Sequence, residues 1–263
     1  MASNPSTPLP PSQLTQVPSQ PTPEVSRLSE GQRLAYTFFA PSKTFTDLRR
    51  SAAWWGPFLI IAIVSTMFAY VVDQKVGYRK VAENLIQLQP KQAARIDNLP
   101  ADQREKVMQQ QASITKVISY AFPVVALLVY VIIAGLFFGT LKFAGGGDLK
   151  FKTLFALVVY TRLPLILWTL LAILSLLAGV SGDGFNMRNP VATNPGYFIS
   201  PDGSPVLRAL LTPLDVFSFW VLILTAIGIS RVSKVKRGTA LAVVFGWFAV
   251  YVLGSVFFAV ASS

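Results

Sequence analysis

The chain has 263 residues, 52% of them hydrophobic and 13% charged, and its 23 Lys and Arg outnumber 12 Asp and Glu for a net charge of +11. An ordinary soluble domain carries about 25% charged residues, so this composition, with its positive mean hydropathy, points to a membrane protein. Cys and His are both absent, which excludes disulfides, thiolate or imidazole zinc sites, haem ligation through His or Cys, and Ser-His-Asp or Cys-His catalysis. An isoelectric point near 10 suggests nucleic acid only where a solvated basic face exists, and the apolar content leaves little room for one. No nucleic-acid partner, cofactor or metal is expected.

Residues 1–35 read as a Pro/Ser-rich cytoplasmic tail. The stretch MASNPSTPLPPSQLTQVPSQPTPEVSRLSE cannot bury enough apolar surface to offset chain entropy, which predicts disorder. It lacks the charged start and apolar run of a signal peptide. A solvated tether is the first reading, and a polyproline ligand for a partner domain the alternative.

Residues 36–263 read as one membrane domain. About 20 apolar residues cross a hydrocarbon core of about 30 Å, and the hydropathy predicts spans over about 54–72, 118–141, 153–180, 210–230 and 239–261. The expected fold is therefore an all-α membrane protein, a five-transmembrane-helix bundle with a helical extramembrane segment between spans one and two. Trp54 and Trp55, with Pro57 in the first turn, suit an interface anchor. The fourth span is the weakest, since its uninterrupted apolar part begins only at Val216. Gly145, Gly146 and Gly147 read as a tight turn, without the Lys and Ser or Thr that a phosphate loop needs. Gly246, Gly254 and Ser255 are small residues that would allow close helix approach.

Lys and Arg flank the spans unevenly. Lys43, Arg49 and Arg50 precede span one, Lys142, Lys150 and Lys152 follow span two, and Arg231, Lys234, Lys236 and Arg237 follow span four. The positive-inside rule then puts the N-terminus in the cytoplasm and the C-terminus outside. Residues 73–117 run against it, with eight basic and five acidic residues, a net +3 on the outer side. This segment predicts helices starting near Pro90 and Pro100, the last running on from about Ala101 to Leu141. It is either a cap packed on its own bundle or a docking surface for a partner or lipid headgroups. The Gly-, Pro- and Asn-rich stretch between spans three and four reads as a structured outer loop, with a ligand loop as the alternative.

Three stretches together resemble the Yip1 family of multispanning membrane proteins in its bacterial form: PSKTFTDLRRSAAWWGPFLI, GGGDLKFKTLFALVVYTRLPLIL and LDVFSFWVLILTAIGISRVSKVKRGTALAVVFGW. The resemblance covers about residues 37–260 and implies a five-span helical fold with a cytoplasmic N-terminus. Eukaryotic relatives serve vesicle trafficking between endoplasmic reticulum and Golgi and associate with Rab-type GTPases. The DLYGP-type stretch that precedes their first span is absent here, and the resemblance assigns the bacterial branch no settled activity.

Four residues stand out as candidate polar sites, none of them catalytic. Arg162 lies about nine residues into span three. A central arginine costs roughly 2.5–3.5 kcal/mol to insert, so it either snorkels to the interface or faces the bundle interior in an ion pair or substrate contact. Its natural partner is Asp215, which is alternatively the N-cap of the membrane part of span four. Tyr160 and Pro164 belong to the YTRLP stretch, where Pro164 bends the span as a hinge or a packing kink.

The expected protein is non-enzymatic, in the cytoplasmic (inner) membrane of a bacterium. It acts as an adaptor or membrane-organising protein, its partners being the lipid bilayer and a protein bound at residues 73–117 or at the tail. The alternative is a small transporter, channel or lipid-moving protein that uses Arg162 and Asp215.

Overall fold

The computed structural model describes residues 27–144 and 148–262. The disorder expected for residues 1–26 and the turn expected at Gly145–Gly147 lie outside them. Helix α1 (Glu30–Phe39) starts inside the segment read as tail. The backbone N–H of Gln32 donates to Ser29 Oγ at 3.2 Å, and the Ser29 N–H donates to Gln32 Oε1 at 2.9 Å. This reciprocal capping box satisfies two orphan donors and starts regular structure at Ser29, within the residues expected as tail. Helix α2 (Pro41–Leu48) follows at once, with proline in its first turn. Phe45 and Leu48 are fully buried.

Helix α3 (Trp55–Lys75) is predominantly apolar up to Val72 and ends on Asp73, Gln74 and Lys75. Gly77, at φ 79°, turns the chain into α4 (Tyr78–Gln87), a left-handed backbone position that a side chain would strain. Helices α5 (Pro90–Asp97) and α6 (Ala101–Tyr120) follow, polar helices between the apolar α3 and the next apolar stretch, and Pro90 and Pro100 stand at their starts as expected. The expected unbroken helix from Ala101 to Leu141 does not form. It breaks at Ala121, and α7 (Phe122–Phe143) begins there, because Pro123 has no N–H and its ring clashes with the carbonyl four residues back.

Span three is two helices, α8 (Phe151–Thr161) and α9 (Pro164–Leu177). The stretch expected as span four is divided as well. Leu210 and Leu211 end α10 (Pro205–Leu211), and α11 (Val216–Val232) begins only after Pro213 and Asp215. Helix α12 (Arg237–Ser262) closes the chain. No strand occurs among the described residues. Four stretches, Trp55–Lys75, Phe122–Phe143, Phe151–Leu177 and Arg237–Ala261, are long and apolar enough to cross a membrane, and α10 with α11, bent by 44°, makes a fifth if taken as one.

Helix α8 occupies the centre, with Thr153 to Thr161 all buried, as an all-round apolar helix must be in the middle of a bundle. It packs against α7, α11 and the N-terminal pair. Trp54 sets its ring edge-on to Phe155 at 5.2 Å, which fixes the start of α3 against α8. Helix α12 has the opposite character: Leu253 and Phe257 are 68% and 76% exposed, a surface suited to lipid rather than water. Close helix approach occurs at Gly228, where a Cβ would collide with the Leu157 side chain. It does not occur at Gly246 or Gly254, where a Cβ would meet nothing within 4 Å. A small residue matters where a neighbouring helix packs closely against it, and those two positions have open space instead. Gly228→Val should therefore lower stability by about 1–3 kcal/mol through overpacking. Gly246→Ala should be neutral or stabilising, by up to about 1 kcal/mol from helix propensity. Thermal unfolding of the two variants in detergent tests the contrast, and equal losses would place the contact wrongly.

Candidate functional site

The α8–α9 break lies at Arg162 and Leu163, beside Pro164. Proline cannot donate, and the backbone compensates with tighter bonds: Leu163 N–H donates to Tyr160 O at 3.1 Å, Leu165 N–H to Arg162 O at 3.0 Å, and Ile166 N–H to Leu163 O at 2.9 Å. Such three-residue bonds keep the main chain satisfied without water. Arg162 is half-buried at this joint. Its guanidinium lies over the Tyr130 ring, 6.0 Å from the centroid, and no ion pair or side-chain hydrogen bond holds it among the described residues.

Asp215 opens the second broken pair. Its Oδ1 accepts from the backbone N–H of Phe217 at 2.8 Å and of Ser218 at 3.2 Å, which makes it the N-cap of α11. Its Oδ2 accepts from the Thr193 hydroxyl and from Asn194 Nδ2 at 3.4 Å. Asn194 in turn exchanges amide bonds with Asn189 at 2.7 and 3.2 Å. Four donors occupy the four lone-pair positions of the carboxylate, so Asp215 is complete without Arg162. Of the two readings of Asp215, the helix cap is the one the structure forms, and no ion pair joins it to Arg162.

The two residues nevertheless line one cavity of about 300 Å³. Ile61, Val64 and Ser65 of α3, Phe122 and Tyr130 of α7, and Leu165, Ile166, Trp168 and Thr169 of α9 form its walls. Arg188, Asn189 and Asn194 from the loop after α9 complete the lining together with Thr212, Pro213, Asp215, Ser218 and Tyr251, and the Asn194–Asp215 hydrogen bond joins the two groups. That loop is held by the extramembrane helices. Asn84 Nδ2 donates to the carbonyls of Gly182 and Phe185, both at 3.0 Å, and Lys80 pairs with Asp183 at 2.8 Å. The hydrogen bond from Lys80 lowers the Asp183 pKa below the usual carboxylate range.

Tyr160 turns away from this cavity. Two residues along a helix is about 200° of rotation, so neighbours of Arg162 in sequence face the other side of α8. The Tyr160 hydroxyl donates to Glu30 Oε2 at 2.9 Å. Glu30 also pairs with Arg33 at 2.9 Å, and Arg33 with Asp47 at 2.6 Å, the latter pair being 3% and 7% exposed. Arg50 completes the network on Asp47 at 2.6 Å. Burial alone draws the Arg33 pKa down, but the hydrogen bond and charge of Asp47 and the charge of Glu30 leave it raised. Tyr160 is thus a support residue that ties α8 to the N-terminal helices.

The chain matches the Yip1 domain over residues 35–258. It belongs to the Yip1 family. It is similar to the membrane protein YknW of Bacillus subtilis (strain 168), 27% identical over 216 residues and covering 81% of each chain. No solved structure matches it. The apolar helices and this bacterial relative support a bacterial membrane as its location.

Sequence reasoning overlooked Glu30, Arg33 and Asp47, although Ser29-x-x-Gln32 is a legible helix start. It also overlooked Thr193, Asn189 and Asn194, whose meeting with Asp215 depends on how the loop folds and leaves no local signal. Exchanging the two charges separates the arrangements. Arg162→Asp combined with Asp215→Arg should show no rescue over the single variants in thermal unfolding. A coupling above roughly 0.5 kcal/mol would mean that the two charges interact after all.

Proposed function

We propose that this chain is a five-span, non-enzymatic member of its family in the cytoplasmic membrane, with its N-terminus in the cytoplasm and its C-terminus outside. Its role in this reading is that of an adaptor or membrane-organising protein, with a membrane domain that starts at Ser29. The partner docks on the helices between spans one and two, or on the tail. The five-span count takes α10 and α11 as one interrupted span, and the basic clusters before α3 and after α11 support the orientation. The available chemistry also favours binding over catalysis. The chain has no Cys or His, and among the described residues no group of three or more acidic side chains could hold a metal.

The observation that carries the docking reading is the surface of α6. A cap that served only its own bundle would bury its apolar stripe, yet Ile114 and Val117 are 45% and 66% exposed, while Met108 and Ile96 form the small core beneath. A Cys-free chain makes the test direct. Lys106→Cys and Ile114→Cys should label with an impermeant maleimide from the outer face in whole cells, and a cross-linker on them should give one discrete protein adduct that the lipid-facing Leu253→Cys does not. Labelling only after the membrane is opened would reverse the orientation, and adducts shared with Leu253→Cys would remove α6 as the dock.

The cavity at Arg162 favours a second reading, a small transporter, channel or lipid-moving protein. Its test is movement. Exchange of labelled phosphatidylglycerol between leaflets should be faster in vesicles holding the wild type than in vesicles holding Arg162→Gln, and equal rates would rule lipid movement out.

A further inference from the structure

We propose that the cavity between α3, α7, α9 and α11 is a binding site for an oxyanion, the phosphodiester or carboxylate head of an amphiphile, with Arg162 as the residue that recognises it. This rests on the second reading only in treating the cavity as a ligand site; it requires binding and no movement.

The charge balance of the site points there. A guanidinium has five N–H donors and stays ionised, and inside a membrane protein it needs a counter-charge or water. The carboxylate in the cavity lining is Asp215, and its four acceptor positions are already filled by Thr193, Asn194, Phe217 and Ser218. Tyr130 offers Arg162 a ring face, which leaves the planar fork of donors free for a second partner. A forked donor matches a phosphate or carboxylate edge with two parallel hydrogen bonds. Arg188, exposed at the loop end of the same cavity, adds a second positive group, so an anion moving inward passes from one arginine to the other. With Asp215 the lining carries a formal +1 (two arginines minus one carboxylate).

Size and polarity narrow the ligand. About 300 Å³ lies at the small end of the range of about 300–1,000 Å³ for ligand sites, enough for a headgroup. Ile61, Val64, Leu165 and Ile166 line the remainder, which suits an apolar chain continuing from the head.

The test uses the full-length protein in nanodiscs of phosphatidylcholine, with and without phosphatidylglycerol, read by native mass spectrometry of retained lipid and by thermal unfolding. The wild type should retain phosphatidylglycerol, and Arg162→Gln about tenfold less, a difference of about 1.4 kcal/mol. Arg162→Lys, which keeps the charge and loses the fork, should fall between them. Arg162→Gln should fold at least as well as the wild type in phosphatidylcholine, since it removes an unpaired charge. Lys234→Gln with Lys236→Gln, at the opposite end, controls for general attraction to anionic lipid and should leave the Arg162 dependence intact. Sodium phosphate and glycerol phosphate, added to phosphatidylcholine discs, separate the sources. A shift in the wild type that is absent in Arg162→Gln would assign a soluble oxyanion to the site, and no shift beside retained phosphatidylglycerol would assign the lipid. Equal phosphatidylglycerol retention in wild type and Arg162→Gln, with no response to phosphate, would leave Arg162 merely hydrated and overturn the proposal.

Discussion

Backbone hydrogen bonding in a medium without water is the constraint on which this structure turns. A membrane helix can stop inside the bilayer only where its freed N–H and C=O groups find other partners. Two breaks between apolar helices border the cavity, at Arg162–Leu163 and at Thr212–Asp215. The first stop is closed by three-residue bonds around Pro164. The second is closed by the Asp215 carboxylate on Phe217 and Ser218, and by the Val216 N–H, which donates to Thr193 O at 3.3 Å. Each repair brings a polar group to the same region, and the space between the two stops is the cavity. The site is a consequence of how the breaks are satisfied.

A second polar centre holds the other flank of α8. Arg33 and Asp47 are too buried to be tolerated singly, since removing one member of such a pair leaves an uncompensated charge costing roughly 3–5 kcal/mol. Together with Glu30, Tyr160 and Arg50 they are mutually satisfied. Phe38, edge-on to Trp220 at 5.9 Å, adds an apolar clamp from α1 to α11. The YTRLP stretch therefore does two unrelated things: Tyr160 anchors the N-terminal helices, and Arg162, rotated to the far side, faces the cavity.

The long elements were legible because a bilayer demands about 20 apolar residues in a row, a signal that needs no knowledge of tertiary contacts. Helix α1 was not, because ten residues with a Pro- and Ser-rich approach read as tail by composition, and only the cap at Ser29 marks the boundary. The bend of span three followed from Pro164. The cap at Asp215 was legible from Pro213 before it and the apolar run after it; the alternative, a pair with Arg162, is not formed, because Thr193 and Asn194 arrive from a loop whose course local sequence does not determine.

The same limit applies to the basic segment at 73–117, whose partners local sequence did not name. Within it Arg79 pairs with Glu105 at 2.5 Å and with Glu83 at 3.2 Å, and Lys116 pairs with Asp73 at 2.8 Å. Arg104 donates to the carbonyls of Asp97 and Leu99, closing the end of α5, and Lys91 donates to Ala261 O at 3.2 Å near the end of α12. Hydrogen bonds from Arg79 and then Gln109 hold the Glu105 pKa below its ordinary value. This tie is therefore present at neutral pH and weakens as the pH falls through that lowered value. Exposed pairs of this kind add little stability singly. Their value is in register: they fix α4 against α6 and, through Lys80 and Asp183, fix both against the loop that carries Arg188 and Asn189 to the cavity. Of the basic residues in this segment, Lys80 therefore acts on the loop that lines the cavity, while Arg79 and Lys116 act within the segment and at the end of α3.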